Sequence, residues 1–121
     1  MLDTTAQDAV TQILTDFGHA LEQGDIDRAT EFFVEDSYWR DLVTFTWNLN
    51  TCEGKPQIAD MLRAQLSVIK PHDWQIAEGE VASEEGGVTT SWIQFETDVA
   101  RGYGLIRLRD GRIWTLLTTM V

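Results

Sequence analysis

Between Thr4 and Gln23 apolar residues return every three or four positions, at Val10, Ile13, Leu14, Phe17 and Leu21. That spacing stripes one face of a helix. Thr4 with Gln7 fits a capping box, and Gly24 a C-terminal stop. Asp25 then caps a shorter helix that runs to Val34, with Ile26, Ala29, Phe32 and Phe33 as its apolar face. From Ser37 the period falls to two. Trp39, Asp41 and Val43 share one strand face, and Tyr38, Arg40 and Leu42 the other. A second extended piece carries Phe45, Trp47 and Leu49 on one side. Gly54-Lys-Pro56 opens a third helix, striped by Ile58, Met61, Leu62, Leu66 and Ile69 and stopped by Pro71.

Beyond Pro71 the pattern is extended. Strands are predicted over Trp74–Ala82, Val88–Val99, Arg101–Arg109 and Arg112–Val121, with turns at Glu84–Gly87 and Asp110-Gly111. The last strand is apolar on both sides: Trp114, Leu116 and Met120 on one, Ile113 and Leu117 on the other. A strand with one wet face should alternate more cleanly. One face is therefore expected to meet the helices and the other a second subunit, which makes a homodimer the expectation.

Composition narrows the picture. A chain of 121 residues suits one domain, residues 1–121, with a core that needs no staples. The single cysteine, Cys52, makes no internal disulfide. Twenty acidic against nine basic residues give a net charge of −11, which opposes nucleic acid and anionic membranes as partners. The polar, acidic N-terminus and the lack of an apolar run of about 20 residues lead by elimination to a cytoplasmic expectation.

The order helix, helix, strand pair, helix and antiparallel meander resembles the cone-shaped domain of the nuclear transport factor 2-like (SnoaL-like) superfamily. The resemblance implies an α+β fold: three helices on a strongly curved, mostly antiparallel sheet, with a pocket between them. Two stretches, Trp39-Arg40-Asp41-Leu42 with Thr46-Trp47-Asn48, Thr51 and Gly54, and Gly104–Leu108 followed by Trp114–Thr118, resemble the domain that precedes the flavin-binding part of some flavin-dependent monooxygenases. A flavoprotein partner is thereby implied. The chain itself is expected to hold no cofactor, because Gly102-Tyr-Gly104 lacks the third glycine and the following helix that a dinucleotide needs.

Asp41 is the sharpest candidate for chemistry. Desolvation beside Trp39 and Val43 would raise its pKa and fit it for general-base work. It falls where steroid isomerases resembling this chain carry their base aspartate. Their phenol donor falls on Phe17 and their carboxyl donor near Gly104, so that reaction is not expected here. An ion pair from Asp41 to Arg101 or Arg107 is the structural alternative. An Asp41–Arg101–Asp98 set that activates water is another. His19 is a weak second catalytic candidate, and Phe17, Trp39, Trp47, Trp92 and Trp114 are expected to line the ligand pocket. Cys52 is read as structural, and no metal site is expected. Three readings follow: a dimeric domain binding a hydrophobic small molecule, a cofactor-independent hydrolase, dehydratase or isomerase, and an assembly module.

Overall fold

In a computed structural model of the chain, residues 2–42, 49–97 and 101–120 are described. Helix α1 (Leu2–Glu22) and the short α2 (Ile26–Glu31) lead into strand β1 (Phe33–Leu42). Strand β2 (Leu49–Glu53) is followed by helix α3 (Gly54–Ile69) and then by β3 (His72–Ile76), β4 (Ser83–Glu85), β5 (Val88–Glu96), β6 (Arg101–Arg109) and β7 (Arg112–Met120). The sheet order is β2-β1-β7-β6-β5-β3, with β4 also on β5. All pairs are antiparallel except β1 with β7.

The helices form for the reasons their stripes suggest. Val10, Ile13, Leu14, Phe17 and Leu21 are buried along α1, and Ile58, Met61, Leu62 and Leu66 along α3. Gly24 takes φ +71 at the end of α1, and the Asp25 side chain accepts from the Arg28 N–H to cap α2. After α3, Lys70 adopts the left-handed C-cap conformation and Pro71 follows. Asp110 and Gly111, both at positive φ, close the β6–β7 hairpin with Arg109 opposite Arg112.

Four expectations are corrected. Helix α1 begins at Leu2, so Thr4 is no cap; the Gln7 side chain instead accepts from the Ala82 N–H. Helix α2 stops at Glu31, and Phe33 opens β1, because the Phe32 carbonyl accepts from the Ile113 N–H and ties the chain to β7. Strand β3 ends at Ile76, where Ala77 and Glu80 form a turn. Along β7 simple alternation fails. The register slips between Arg107–Thr115 and Leu108–Ile113, leaving Trp114 as the extra residue of a bulge. Ile113 and Leu116 therefore both reach the core, while Leu117 points away.

The core is an aromatic box beneath α1. Phe17 meets Phe33, Trp39 and Trp74 edge-on, with ring centroids 5.6, 6.1 and 5.5 Å away. Trp74 in turn stacks on Phe95 at 4.2 Å. Two glycines make room for these rings. A Cβ on Gly18 would lie 2.8 Å from the Trp74 ring, and one on Gly102 would lie 2.2 Å from that of Phe95. These five rings fill the space under α1. Among the described residues, no helix is long and apolar enough to cross a membrane.

Candidate functional site

Strand β1 turns Trp39 and Asp41 to the inner face of the sheet, and Tyr38 and Arg40 to the outer face. The parallel pairing with β7 sets Trp39 beside Leu116 and Asp41 beside Thr118. Asp41 is 1% exposed, and Thr118 is fully buried. The three polar side chains form one relay. The Trp39 indole N–H donates to Thr118 Oγ1 at 2.9 Å, and the Thr118 hydroxyl donates to Asp41 Oδ1 at 2.7 Å. An indole nitrogen can only donate, so the direction of the first bond is fixed by chemistry. Thr118 is the partner of Asp41 that the alternation along the chain does not reveal.

On the other side β2 places Cys52 opposite Trp39 and diagonal to Asp41. Burial pushes the Cys52 thiol above its ordinary pKa, and the carboxylates of Asp41 and Asp60 push it further. It stays protonated at neutral pH, as a structural thiol should. Cys52 also lines a cavity of about 360 Å³ between β2 and α3, with Thr51, Gln57, Asp60, Met61, Ala64 and Gln65. The polar relay thus lies beside a thiol that borders open space.

The other predicted residues distribute differently. Phe17 is in the interior but belongs to the packed aromatic box, and Trp39 joins box and relay. Trp92 is on the outer face, 42% exposed and stacked on Tyr103 at 5.5 Å. Trp114 is half-buried at its bulge, with the Arg109 guanidinium 4.9 Å from its ring centroid. Neither shares the inner face with Asp41. His19 is exposed on α1 and borders a separate cavity of about 430 Å³ with Asp16, Asp73 and Trp74. Trp47 and Asp98 lie outside the described residues. Arg101 and Arg107 are exposed on β6, which β7 separates from β1. That placement removes both from the strand beside Asp41.

Two positions bear on isomerase chemistry. Phe17 offers no hydroxyl, and its ring packs edge-on against Phe32, Phe33, Trp39 and Trp74. A Cβ on Gly104 would fall 2.0 Å from the Leu117 carbonyl oxygen. No side chain fits there while β6 and β7 stay paired.

Residues 14–116 match the SnoaL-like domain family. The chain belongs to that family. No curated protein sequence matches this SnoaL-like domain. Among solved structures, an NTF2-like protein with a cystatin-like fold from Novosphingobium aromaticivorans aligns with a TM-score of 0.68 at 15% identity, covering 98% of this chain and 83% of its own. A ketosteroid isomerase-like protein from Erwinia carotovora atroseptica aligns with a TM-score of 0.71 at 11% identity, covering 91% of this chain and 92% of its own. The Orange Carotenoid Protein of Anabaena (Nostoc) binding canthaxanthin aligns with a TM-score of 0.69 at 15% identity over 89% of this chain and 35% of its own. At such identities the likeness is one of fold: the SnoaL-like domain has the NTF2-like, cystatin-like architecture.

Proposed function

We propose that the domain binds an apolar small molecule in its interior, beside Cys52 and against Asp41, and that it works as a homodimer. The observation that carries this reading is the buried carboxylate of Asp41. Burying a carboxylate costs several kcal/mol even after relaxation, and an apolar residue would fill the same space at lower cost. Its position on the inner face, oriented by Thr118 and close to the cavity of about 360 Å³, supports a role in holding a ligand. Two structural neighbours are described as ketosteroid isomerase-like and as binding canthaxanthin, and both descriptions favour an apolar ligand. The stretches that resemble a flavin monooxygenase's leading domain support a flavoprotein working on related compounds. The test is thermal shift against hydrophobic metabolites, run on the wild type and on Asp41→Asn. Ligand-dependent shifts that vanish in Asp41→Asn are expected, and shifts unchanged in that variant refute the assignment.

A second reading makes Asp41 a general base for a hydrolase, dehydratase or isomerase reaction. The fixed orientation of its Oδ1 by Thr118 favours this. Turnover lost in Asp41→Asn with the fold intact is its signature.

The dimer rests on the outer face of the sheet. Leu105 lies opposite both Leu117 and Trp92 there. Trp92 stacks on Tyr103, and Tyr38, 41% exposed, lines the same hollow as Leu105 and Leu117. Such a patch of aromatic and aliphatic side chains on exposed strands fits a subunit interface, and it also fits an assembly role. Light scattering at micromolar concentration is expected to give a dimer mass that Leu105→Glu halves. A wild-type monomer sinks the dimer.

A further inference from the structure

We infer that the domain carries a second binding site, at the end where α1, α2 and α3 meet, for a small molecule with an apolar body and a carboxylate. The hollow there has a volume of about 580 Å³, inside the range of about 300–1,000 Å³ usual for ligand clefts. It shares no residue with the cavity that Cys52 lines, because the two lie on different faces of α3. Met61, Ala64 and Gln65 border the Cys52 cavity, whereas Leu62, Leu66 and Ser67 border this hollow. Its floor is apolar: Leu21, Leu62, Leu66 and Pro71 are buried, and Ile26 is half-buried. Such a floor takes the body of a hydrophobic molecule out of water.

The rim is cationic. Among the described residues that line it, Arg63 and Lys70 stand against the carboxylate of Glu22, in a chain where acidic residues outnumber basic ones by twenty to nine. The local balance reverses the global one and favours an anion at the mouth. Arg63 also meets Asp60 at 3.1 Å, but side chains 58% and 78% exposed form a weak, screened pair. Its guanidinium has further N–H groups that suit a carboxylate. Lys70 supplies a second, independent observation. It is the left-handed C-cap of α3, at φ 52, where glycine is the ordinary residue. A cation at a helix end offsets the helix dipole, yet the last turn of α3 would serve that purpose without strain, and it holds no basic residue. The lysine stands instead at the mouth of the hollow.

The experiment titrates the isotope-labelled full chain with three probes of one shape, 2-naphthoate, 2-naphthamide and 2-naphthylmethylammonium, and follows backbone amide shifts by NMR. Gly24, Ser67 and Lys70 report this hollow, and Thr51 and Ala64 report the Cys52 cavity. 2-Naphthoate is expected to shift the first set and to bind at least about threefold more tightly than the other two, the margin of an exposed ion pair. Arg63→Gln and Lys70→Gly should each weaken it by about threefold. Glycine suits the left-handed position, so Lys70→Gly should lose affinity while keeping its fold, checked by its thermal midpoint. The proposal is overturned if the amide or the ammonium binds here as tightly as the carboxylate, if both variants keep the wild-type affinity, or if no probe shifts these amides. Shifts confined to Thr51 and Ala64 overturn it too, and leave a site beside Cys52 standing. Shifts at Gly24, Ser67 and Lys70 on dilution of the protein alone would assign the hollow to a second copy of the chain, and equally overturn it.

Discussion

Thr118→Val isolates the relay more cleanly than any change to Asp41. Valine keeps the β-branch and nearly the volume of threonine, so strand preference and packing barely alter. What disappears is one oxygen and its two hydrogen bonds. The carboxylate loses a charge-assisted bond, worth about 1.5–3 kcal/mol, and the buried indole N–H loses the acceptor at 2.9 Å, a loss of about 1–3 kcal/mol. Against this, the new methyl group adds about 0.8 kcal/mol of apolar burial. The net expectation is a destabilisation of about 2–5 kcal/mol. A domain of this length has a total stability of about 6–18 kcal/mol, so the effect is a substantial fraction of it.

Urea unfolding followed by tryptophan fluorescence measures the change. With an m-value of about 2 kcal/mol/M, the middle of the usual range in urea, the midpoint should fall by roughly 1–2.5 M. Thr118→Ser is the control, because it retains the hydroxyl and gives up one methyl group, at about 1 kcal/mol. In a double-mutant cycle with Asp41→Asn the two changes should couple, since both touch one bond. If Thr118→Val is as stable as Thr118→Ser within about 0.5 kcal/mol, hydrogen bonding through Thr118 is not what holds Asp41, and the relay reasoning fails.

Three further outcomes follow from other parts of the fold. Because burial and the two carboxylates raise the Cys52 pKa, the folded state keeps its proton where the unfolded chain, with a thiol pKa of about 8.5, gives it up. Wild type should therefore lose stability relative to Cys52→Ala as pH rises above about 8.5, by at most about 1.4 kcal/mol per pH unit, and show no such difference in slope below pH 7; urea titrations across that range decide it. Gly102→Ala removes a flexible strand residue, a gain of about 0.5–1 kcal/mol. Its Cβ, however, would stand 2.2 Å from the buried Phe95 ring, and overpacking of about 1–3 kcal/mol should win. Phe95→Leu in the same chain should recover part of that loss. Among the described residues Ser37 Oγ is buried with no hydrogen-bond partner, so Ser37→Ala should raise the thermal midpoint, by up to about 1 kcal/mol in stability; a lowered midpoint refutes the reading.

Much of this fold is legible in the chain, because its signals are local. The stripes of α1 and α3, the Asp25 cap and the Asp110-Gly111 hairpin each need only a few neighbouring residues. The inward turn of Trp39 and Asp41 follows from a period of two in the same way. Thr118 is different. It becomes the partner of Asp41 only through the parallel pairing of β1 with β7, a contact across 77 residues that no local pattern announces. The bulge at Trp114 has the same character. Simple alternation puts Trp114 with Leu116, and only the registered partners Thr115 and Ile113 reveal the extra residue. Trp92 misleads for another reason: an aromatic in a strand marks a covered face without saying which cover.

The relay also limits what this interior can do if it catalyses. An enolate or alkoxide formed by a base needs donors aimed at the oxygen where charge develops. The Trp39 N–H is directed to Thr118, and the Thr118 hydroxyl to Asp41, so neither hydrogen is available to such an oxygen. Phe17 has none to give, and Gly104 cannot be replaced by a donor without parting β6 from β7. With these four positions closed, Asp41 can take a proton but they do not stabilise the anion it leaves. Reactions whose conjugate base is stabilised within the substrate itself remain within reach, and so does binding alone. Wild-type turnover on an activated substrate, against one that needs an oxyanion donor and with Asp41→Asn as the base-free control, separates the two. Equal wild-type rates on both would mean that a donor exists elsewhere and that this restriction is wrong.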